Sequence, residues 1–343
     1  MRIVDVLCLA CGFVHASTRP NEAALLAYYR DAHTRCSDYV DVRPDYDLPG
    51  RLRRIDRFIP RGARILELGA GTGEFCAALR QSGWDATPVD PLGDEHITAS
   101  GKRFNAVLAY LVLEHVHDPN QFIHEAANRL ESEGVLIVEV PDFPRDPVNS
   151  LVPEHLWHYA PEHLAALFAD CGLSTLEVDR SEASRPFAFA ITARLTGSPA
   201  RPEFRSGHVE MMRAAYLRAA PLINAEEARI HMLTDFIAAA HPPRVYVWGA
   251  NEYASRIGRH FAESRGIDVR VVDSAASKIG TFHEGFSRPI EPPEFSGNEP
   301  ERCVVLLCSP TWNAQIRQQV EASRLRTPKV LDAIEWRPRH LCK

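Results

Sequence analysis

Short apolar runs alternate with amphipathic segments over much of this chain. The runs have the length and composition of buried strands, and the segments between them place apolar residues three and four positions apart, as helices do. One such helix is predicted to end at Gly83 and another at Gly172. This alternation predicts an α/β fold with a parallel sheet. The strand-like runs are 65–68, 86–89, 136–142 and 271–273, and further strands are predicted within 104–119, 245–254 and 304–310.

The pattern changes at three places, which predict four zones. Residues 1–40 contain a Cys-x-x-Cys, and residues 41–197 contain the first alternating region. Residues 198–240 have helical periodicity throughout, and residues 241–343 form a second alternating region. Prolines at 199, 202, 242 and 243 mark the last two boundaries.

Composition restricts the class of protein. The 343 residues are 45% hydrophobic and 24% charged, with a net charge of −6 and no basic run, which argues against nucleic-acid binding. No signal peptide and no apolar stretch of membrane-spanning length is visible. Eight cysteines in a chain of this length do not indicate a disulfide framework. We therefore expect a cytoplasmic protein with reduced thiols.

The stretch A-R-I-L-E-L-G-A-G-T-G-E-F, residues 63–75, contains the main candidate site. Gly69, Gly71 and Gly73 follow a strand and precede a helix, where a bound ligand presses against the backbone. Asp90 ends the next strand and is well placed to accept hydrogen bonds from ribose hydroxyls. Glu74 begins the helix, which disfavours a pyrophosphate but not a sulfonium ligand. A tight turn without a ligand is the alternative.

This stretch resembles the first motif of the class I S-adenosylmethionine-dependent methyltransferases. Residues 104–119 and 136–142 resemble the fourth and fifth strand segments of that family. The resemblance implies a Rossmann-like core, S-adenosylmethionine as cofactor and Glu67 as a residue that shapes the loop. It implies cofactor contacts from Glu67, Gly69, Ala70, Gly71, Gly73, Asp90, Pro91 and Leu111. The candidates for contact with the adenine group of the cofactor are Asp94, Glu95 and Thr98.

The segment V-P-E-H-L-W-H-Y-A-P-E-H-L, residues 152–164, points to one group of methyltransferases. Glu154-His155-Leu156 after V-E-V-P is similar to the sugar C-methyltransferases that act on nucleotide-linked keto-deoxysugars. The resemblance implies His155 as the base that removes a proton from carbon, with a pKa near neutrality, and Glu154 as the residue that orients it. The family has tyrosine where this chain has Val152. A polar loop that packs on the glycine turn is the alternative.

Neighbouring residues give further candidates. His115 follows the fourth strand and is a second catalytic candidate. His158 and Tyr159 are expected to cover the substrate pocket, whereas His163 is expected on the surface at a helix start. A zinc site in this segment is disfavoured, because no third ligand accompanies His155 and His158.

Both ends of the chain resemble parts of the same sugar C-methyltransferase family. Cys8 and Cys11 resemble one knuckle of its N-terminal zinc domain, and His15, His33 and Cys36 are the residues available to complete a zinc site. Tyr28 is a substrate-contact candidate. The region from 245 resembles a Rossmann-like C-terminal domain, and its single glycine argues against a second nucleotide. Its turn supplies three substrate-contact candidates, Asn251, Glu252 and Tyr253.

The resemblance implies a cytoplasmic enzyme of natural-product biosynthesis that C-methylates a nucleotide-activated keto-deoxysugar such as a dTDP-sugar. O- or N-methylation of another small natural product or glycan precursor is the first alternative. A cofactor-binding scaffold subunit without turnover is the second. The expected partners are a small-molecule substrate and neither nucleic acid nor membrane, and the protein is expected to be a monomer or a homodimer.

Overall fold

The structure is a computed structural model of the chain. It describes residues 4–17, 19–21, 23–27, 44–71, 73–90, 102–152, 154–180, 188–197, 199–205, 207–262, 266–276, 278–295, 300–309, 313–325, 328–334 and 336. These divide into two compact units, the first between residues 4 and 222 and the second from residue 223 onward.

A six-stranded mixed sheet forms the centre of the first unit. Its order is β4-β3-β5-β6-β9-β8, in which β3 to β6 run parallel and β9 is antiparallel to both of its neighbours. The strands are β3 (Arg64–Leu68), β4 (Asp85–Val89), β5 (Phe104–Tyr110), β6 (Leu130–Pro141), β8 (Leu173–Asp179) and β9 (Ala188–Leu195). The chain passes from β3 outward to β4 and then back to β5, so a crevice is expected at the carboxyl ends of β3 and β5.

Helices cover both faces of this sheet. They are α1 (Pro44–Phe58), α2 (Glu74–Gln81), α3 (Pro119–Asn128) and α4 (Pro161–Asp170). Helices α1 and α2 pack on one face through a cluster that includes Ile55, Leu79 and Leu108. Helices α3 and α4 pack on the other through a cluster that includes Ile123 and Phe168. The two-sided burial explains why these strands are nearly continuous apolar runs.

A small three-stranded sheet lies at the amino-terminal end of the chain. Its strands are β1 (Asp5–Leu7), β2 (Val14–Ala16) and β7 (Trp157–His158), in that order and antiparallel. A 3-10 turn, Pro147–Leu151, precedes β7. The amino-terminal segment is therefore paired with the segment that contains the doubled Pro-Glu-His-Leu sequence.

The second unit has its own parallel sheet, in the order β11-β10-β12-β13. The strands are β10 (Arg244–Trp248), β11 (Asp268–Val272), β12 (Val304–Leu307) and β13 (Lys329–Asp332), with helices α6 (Glu252–Ala262) and α7 (Asn313–Glu321). The long helix α5 (His208–Ala239) contains the division between the units. The predicted α/β fold with a Rossmann-like core is confirmed.

No helix in the described ranges is long and apolar enough to cross a lipid bilayer.

Candidate functional site

The glycine turn after β3 has the backbone that only glycine adopts easily. The φ angles of Gly69, Gly71 and Gly73 are 72°, 51° and 77°, all in the left-handed region. A Cβ atom at Gly69 would lie 2.3 Å from Cγ2 of Val112, so this position also demands glycine for space. A Cβ at Gly71 would meet no atom of the described residues within 4 Å. The turn is therefore packed at its first glycine and open at its second.

Strand β4 holds the turn through hydrogen bonds. The backbone amides of Gly69 and Ala70 both donate to the carbonyl of Val89, at 2.8 and 3.1 Å. The amide of Gly71 donates to the Asp90 carboxylate at 2.8 Å. The structure thus brings the predicted ribose-binding acid to the open side of the turn. Pro91 and the adenine candidates 94, 95 and 98 lie outside the described residues.

Glu67 lies at the base of the turn, within strand β3. Its side chain is buried, with the whole residue 5% exposed, and its Oε2 has no hydrogen-bond partner among the described residues. Burial raises the pKa of Glu67 to about 7, against hydrogen bonds from the thiol and amide of Cys76 and the charge of Arg51, which lower it. Glu67 is therefore partly protonated at neutral pH.

A second turn approaches the glycines from the end of β5. Leu111 has a φ of 56°, an unusual value for a side chain of this size. Its amide donates to the carbonyl of Glu139 at 2.8 Å. This bend leads to Val112, the side chain that occupies the space above Gly69. Leu111 thus lies beside the predicted cofactor turn, and its contact with cofactor stays a prediction.

Two histidines meet at the next residues of this segment. The ring centroids of His115 and His155 lie 4.8 Å apart with the rings nearly perpendicular. Nδ1 of His115 donates to the carbonyl of Glu154 at 3.1 Å, and Nδ1 of His155 donates to the carbonyl of Asn149 at 3.1 Å. All three predicted catalytic residues therefore lie together. A backbone carbonyl holds His155 through Nδ1, and the orienting role of Glu154 stays a prediction.

Burial makes both imidazoles weakly basic. It lowers the pKa of His115 to about 4 and the pKa of His155 to about 2. The charge of His115 contributes to the second shift. Burial thus sets the pKa of His155 below the near-neutral value that suits a base, and the carbonyl on Nδ1 offers only a partial charge to an imidazolium.

The predicted pocket-covering residues are part of the interior. His158 is 3% exposed, and its Nε2 lies 3.6 Å from Oδ1 of Asp5. Tyr159 is 2% exposed, and its hydroxyl has no hydrogen-bond partner among the described residues. Burial, together with the charge of Glu114, raises the pKa of Tyr159 well above its ordinary value. That they contact a substrate stays a prediction.

His163 is buried, so the prediction that it lies on the surface is wrong. It is 6% exposed, its Nε2 donates to the carbonyl of Cys11 at 2.9 Å, and Nε2 of His208 lies 3.3 Å away. Its Nδ1 accepts from the amide of Ala160 at the start of α4. The sequence showed the helix start correctly, but it could not show that the amino-terminal knuckle covers this ring.

The Cys-x-x-Cys forms a tight turn. The amide of Gly12 donates to the carbonyl of Cys8 at 2.8 Å. Backbone hydrogen bonds lower the pKa of Cys8, whereas burial raises the pKa of Cys11. Among the described residues, no third histidine, cysteine or carboxylate lies close enough to complete a metal site here. Two thiols alone do not hold a structural zinc, and the candidates 33 and 36 lie outside the described residues.

Three predicted substrate contacts lie at the turn after β10 in the second unit. Asn251 donates to the carbonyl of Cys308 at 2.8 Å and accepts from the amide of Ala254, so it caps helix α6. The hydroxyl of Tyr253 donates to the carbonyl of Ala333 at 3.0 Å. Both side chains therefore have structural roles within this unit. The side chain of Glu252 and the whole of Tyr28 lie outside what the structure describes.

Sequence reasoning missed a buried ionic network beneath the cofactor turn. Arg51 and Arg54 of α1 contact the carboxylate of Glu139 at 2.7 and 3.4 Å, and Arg54 also contacts Asp179 at 2.8 Å. The guanidinium of Arg51 lies 4.2 Å from the ring centre of Tyr110. The available signal was a glutamate inside an otherwise apolar strand, which requires a buried partner.

Comparisons with known proteins agree with this geometry. Residues 42–178 match a family model described as a methyltransferase domain. The ubiquinone biosynthesis O-methyltransferase of Azorhizobium caulinodans is 30% identical over 101 residues, which are 23% of this chain and 40% of that protein. The chain thus matches less than half the length of this curated relative. This part of the chain is therefore similar to methyltransferase domains.

Several solved methyltransferase structures are similar to part of the chain at low identity. The 1,6-didemethyltoxoflavin-N1-methyltransferase of Burkholderia thailandensis is 17% identical, with a TM-score of 0.43, over 55% of this chain and 98% of that one. That structure contains 1,6-didemethyltoxoflavin and S-adenosylhomocysteine. An S-adenosylmethionine-dependent methyltransferase of Archaeoglobus fulgidus is 16% identical, with a TM-score of 0.35, over 46% and 99%.

Proposed function

We propose that the protein transfers a methyl group from S-adenosylmethionine to a small molecule. The observation that carries this proposal is the turn in which Gly71 is open to a ligand and donates its amide to Asp90. A cofactor that lies along the turn meets backbone rather than side chains, and its ribose reaches the Asp90 carboxylate. The match of residues 42–178 to a methyltransferase domain supports it.

Methyl transfer depends mainly on how the substrate and the cofactor are positioned. The nucleophile of the substrate attacks the methyl carbon in line with the bond to the sulfonium sulfur, and the electron pair of that bond returns to sulfur. Holding both reactants in line contributes much of the rate. The segment from Leu111 to His115 begins beside Gly69, and the ring of His155 contacts the ring of His115 at the end of this segment. We infer that the acceptor atom lies near these two histidines.

We favour oxygen or nitrogen as the acceptor atom. Removing a proton from carbon leaves a base with a full positive charge, and burial of both rings disfavours that charge even though the Glu114 carboxylate lies 3.9 Å from Nε2 of His115. Nδ1 of His155 faces a carbonyl, and Nδ1 of His115 does too. This geometry suits histidines that stay neutral. The partial relative in Azorhizobium caulinodans is named as an O-methyltransferase, which agrees with a heteroatom acceptor.

The second candidate is C-methylation of a nucleotide-activated keto-deoxysugar. The Glu154-His155-Leu156 stretch that resembles the sugar C-methyltransferases does lie at the end of the predicted cofactor crevice, against His115. A separate α/β unit also follows the methyltransferase domain, as that resemblance implies. The natural-product setting and the dTDP-linked substrate belong to this candidate.

Calorimetric titration of S-adenosylhomocysteine tests the cofactor assignment. Asp90→Ala should weaken binding at least tenfold, because it removes both the ribose acceptor and the anchor of the Gly71 amide. Asp85→Ala is the matched control, since Asp85 is exposed at the other end of the same strand, and it should bind like the natural protein. Equal affinities in the two variants would contradict the proposal.

His155→Ala separates the two acceptor classes. Carbon methylation should lose nearly all turnover at unchanged S-adenosylhomocysteine affinity, whereas heteroatom methylation keeps a measurable rate. Titration of thymidine diphosphate into protein saturated with S-adenosylhomocysteine gives a second readout. Clear binding would favour the sugar-nucleotide candidate, and no binding would count against it.

A further inference from the structure

A cluster of potential metal ligands lies where the two histidines meet. Glu114, His115 and His155 each offer one ligand atom, and the three atoms lie within 4.8 Å of one another. Oε1 of Glu114 is 3.9 Å from Nε2 of His115. Glu114 is 1% exposed, so this carboxylate is part of the interior rather than of a solvated acidic surface.

The hydrogen bonds of both rings fix the tautomer that binds metals. A carbonyl oxygen can only accept, so Nδ1 of His115 and Nδ1 of His155 both carry their protons. Each Nε2 of a neutral ring then has a lone pair. Metal-binding histidines commonly have this arrangement, in which the second ring nitrogen donates to a carbonyl and sets the orientation of the ring.

Tyr159 adds a buried polar group whose electrostatics depend on Glu114. Its side chain is among the most deeply buried of the described residues, and its hydroxyl has no hydrogen-bond partner there. A buried hydroxyl without a partner costs about 1–3 kcal/mol. The Glu114 carboxylate is the foremost charge acting on this hydroxyl.

We propose that Glu114, His115 and His155 bind one divalent transition-metal cation of the Zn²⁺ or Co²⁺ class. Two imidazoles and one carboxylate form a set typical of open catalytic sites, in which the remaining positions take water or substrate. Ligand atoms around such a cation lie about 3–3.5 Å apart, given metal–ligand distances of about 2.0–2.2 Å. Each of the three atoms therefore moves inward by about 1 Å or less on binding.

The cation would act on the acceptor of the proposed methyl transfer, and this step rests on the proposed function. A substrate hydroxyl that coordinates the cation releases its proton to solvent water, because the positive charge lowers the pKa of that hydroxyl. An oxygen lone pair then forms the bond to the methyl carbon. The carbon–sulfur bond breaks, its electrons stay on sulfur, and S-adenosylhomocysteine leaves as the neutral thioether.

Cobalt titration followed by absorption spectroscopy tests the site. The full-length Cys8→Ser/Cys11→Ser protein is the starting material, because the knuckle thiols would otherwise bind the probe. We expect one Co²⁺ per chain, with visible bands of nitrogen and oxygen ligation and no thiolate charge-transfer band. On this background His115→Ala and His155→Ala should each weaken Co²⁺ binding at least tenfold. His124→Ala, which removes an exposed histidine of α3, should bind like the background.

Three results decide the proposal. Absence of Co²⁺ binding to the Cys8→Ser/Cys11→Ser protein would overturn it, and so would unchanged binding in the two alanine variants. If circular dichroism shows that those variants do not fold, Glu114→Gln decides instead, because it keeps the shape of the side chain and should also weaken binding at least tenfold. Unchanged binding in Glu114→Gln would overturn the proposal.

The same samples separate this inference from the proposed function. Calorimetry with S-adenosylhomocysteine is carried out on each of them. Protein that binds S-adenosylhomocysteine but no Co²⁺ refutes the metal site alone. Protein that binds Co²⁺ but no S-adenosylhomocysteine refutes the methyltransferase proposal and leaves the metal site standing.

Discussion

At the scale of single residues, Glu67 shows most clearly how burial changes the acidity of a side chain. An acid two residues before a glycine turn was predicted to shape that turn. In the structure its carboxyl is buried, and burial raises its pKa to about 7. The ordinary value for glutamate is close to 4.5, so folding favours the protonated form.

This shift predicts a pH-dependent stability. The folded-state pKa lies above the unfolded value, so the stabilising effect of the bound proton is complete below about pH 4.5 and is lost as pH rises to about 7. A shift of this size corresponds to about 3 kcal/mol. Chemical unfolding of Glu67→Gln and the natural protein across this range should show the variant gaining relative stability by up to that amount as pH rises. A difference independent of pH would contradict the buried, protonated carboxyl.

Some residues of the candidate site could be located from the sequence, and others could not. The glycine turn and Asp90 each follow a strand whose carboxyl end is recognisable in the sequence, and their cofactor contacts stay predictions. The proximity of Glu114 to the two histidines was not predicted. His155 is 40 positions from His115, and only the three-dimensional structure shows that the three side chains lie close together.

At the scale of secondary-structure elements, helix α1 depends on charges that come from distant strands. Arg54 is 1% exposed and contacts Glu139 of β6 and Asp179 of β8. These partners are 85 and 125 positions away. The sequence of the helix does not indicate these partners, because nothing in it distinguishes Arg54 from the neighbouring arginines.

Adjacent arginines of α1 make a matched test. Arg54→Ala should lower the free energy of unfolding by about 3 kcal/mol or more, because it leaves buried carboxylates with fewer partners. Arg53→Ala, one position earlier and exposed, should change it by less than about 0.5 kcal/mol. Denaturant unfolding of the two variants measures the difference, and similar losses would contradict a buried network.

The turn between β3 and α2 gives a second test at this scale. Gly69→Ala and Gly71→Ala both place a side chain at positive φ, which costs about 1–3 kcal/mol. Gly69→Ala should cost more, because its Cβ also meets Val112. Adding Val112→Ala should recover part of that extra loss in stability. Equal unfolding energies for the two glycine variants would show that Val112 does not constrain the turn.

At the scale of the whole molecule, the two alternating regions of the sequence correspond to two separate sheets, a mixed one in the first unit and a parallel one in the second. Hydrophobic period and glycine turns were enough to predict both, since parallel strands and the helices between them have distinct patterns. The exposure of His163 was mispredicted because the knuckle that covers it comes from the other end of the first unit. Hydrophobic periodicity does not indicate which remote segments of the chain contact each other.

The central claim is that S-adenosylmethionine binds at the glycine turn of the first unit. Hydrogen exchange measured by mass spectrometry, with and without S-adenosylhomocysteine, tests it most directly. We predict protection of the amides in residues 67–76 and 104–115, with no change in residues 249–255 of the second unit. Protection of 249–255 alone, or no protection in the first two segments at saturating S-adenosylhomocysteine, would contradict the account.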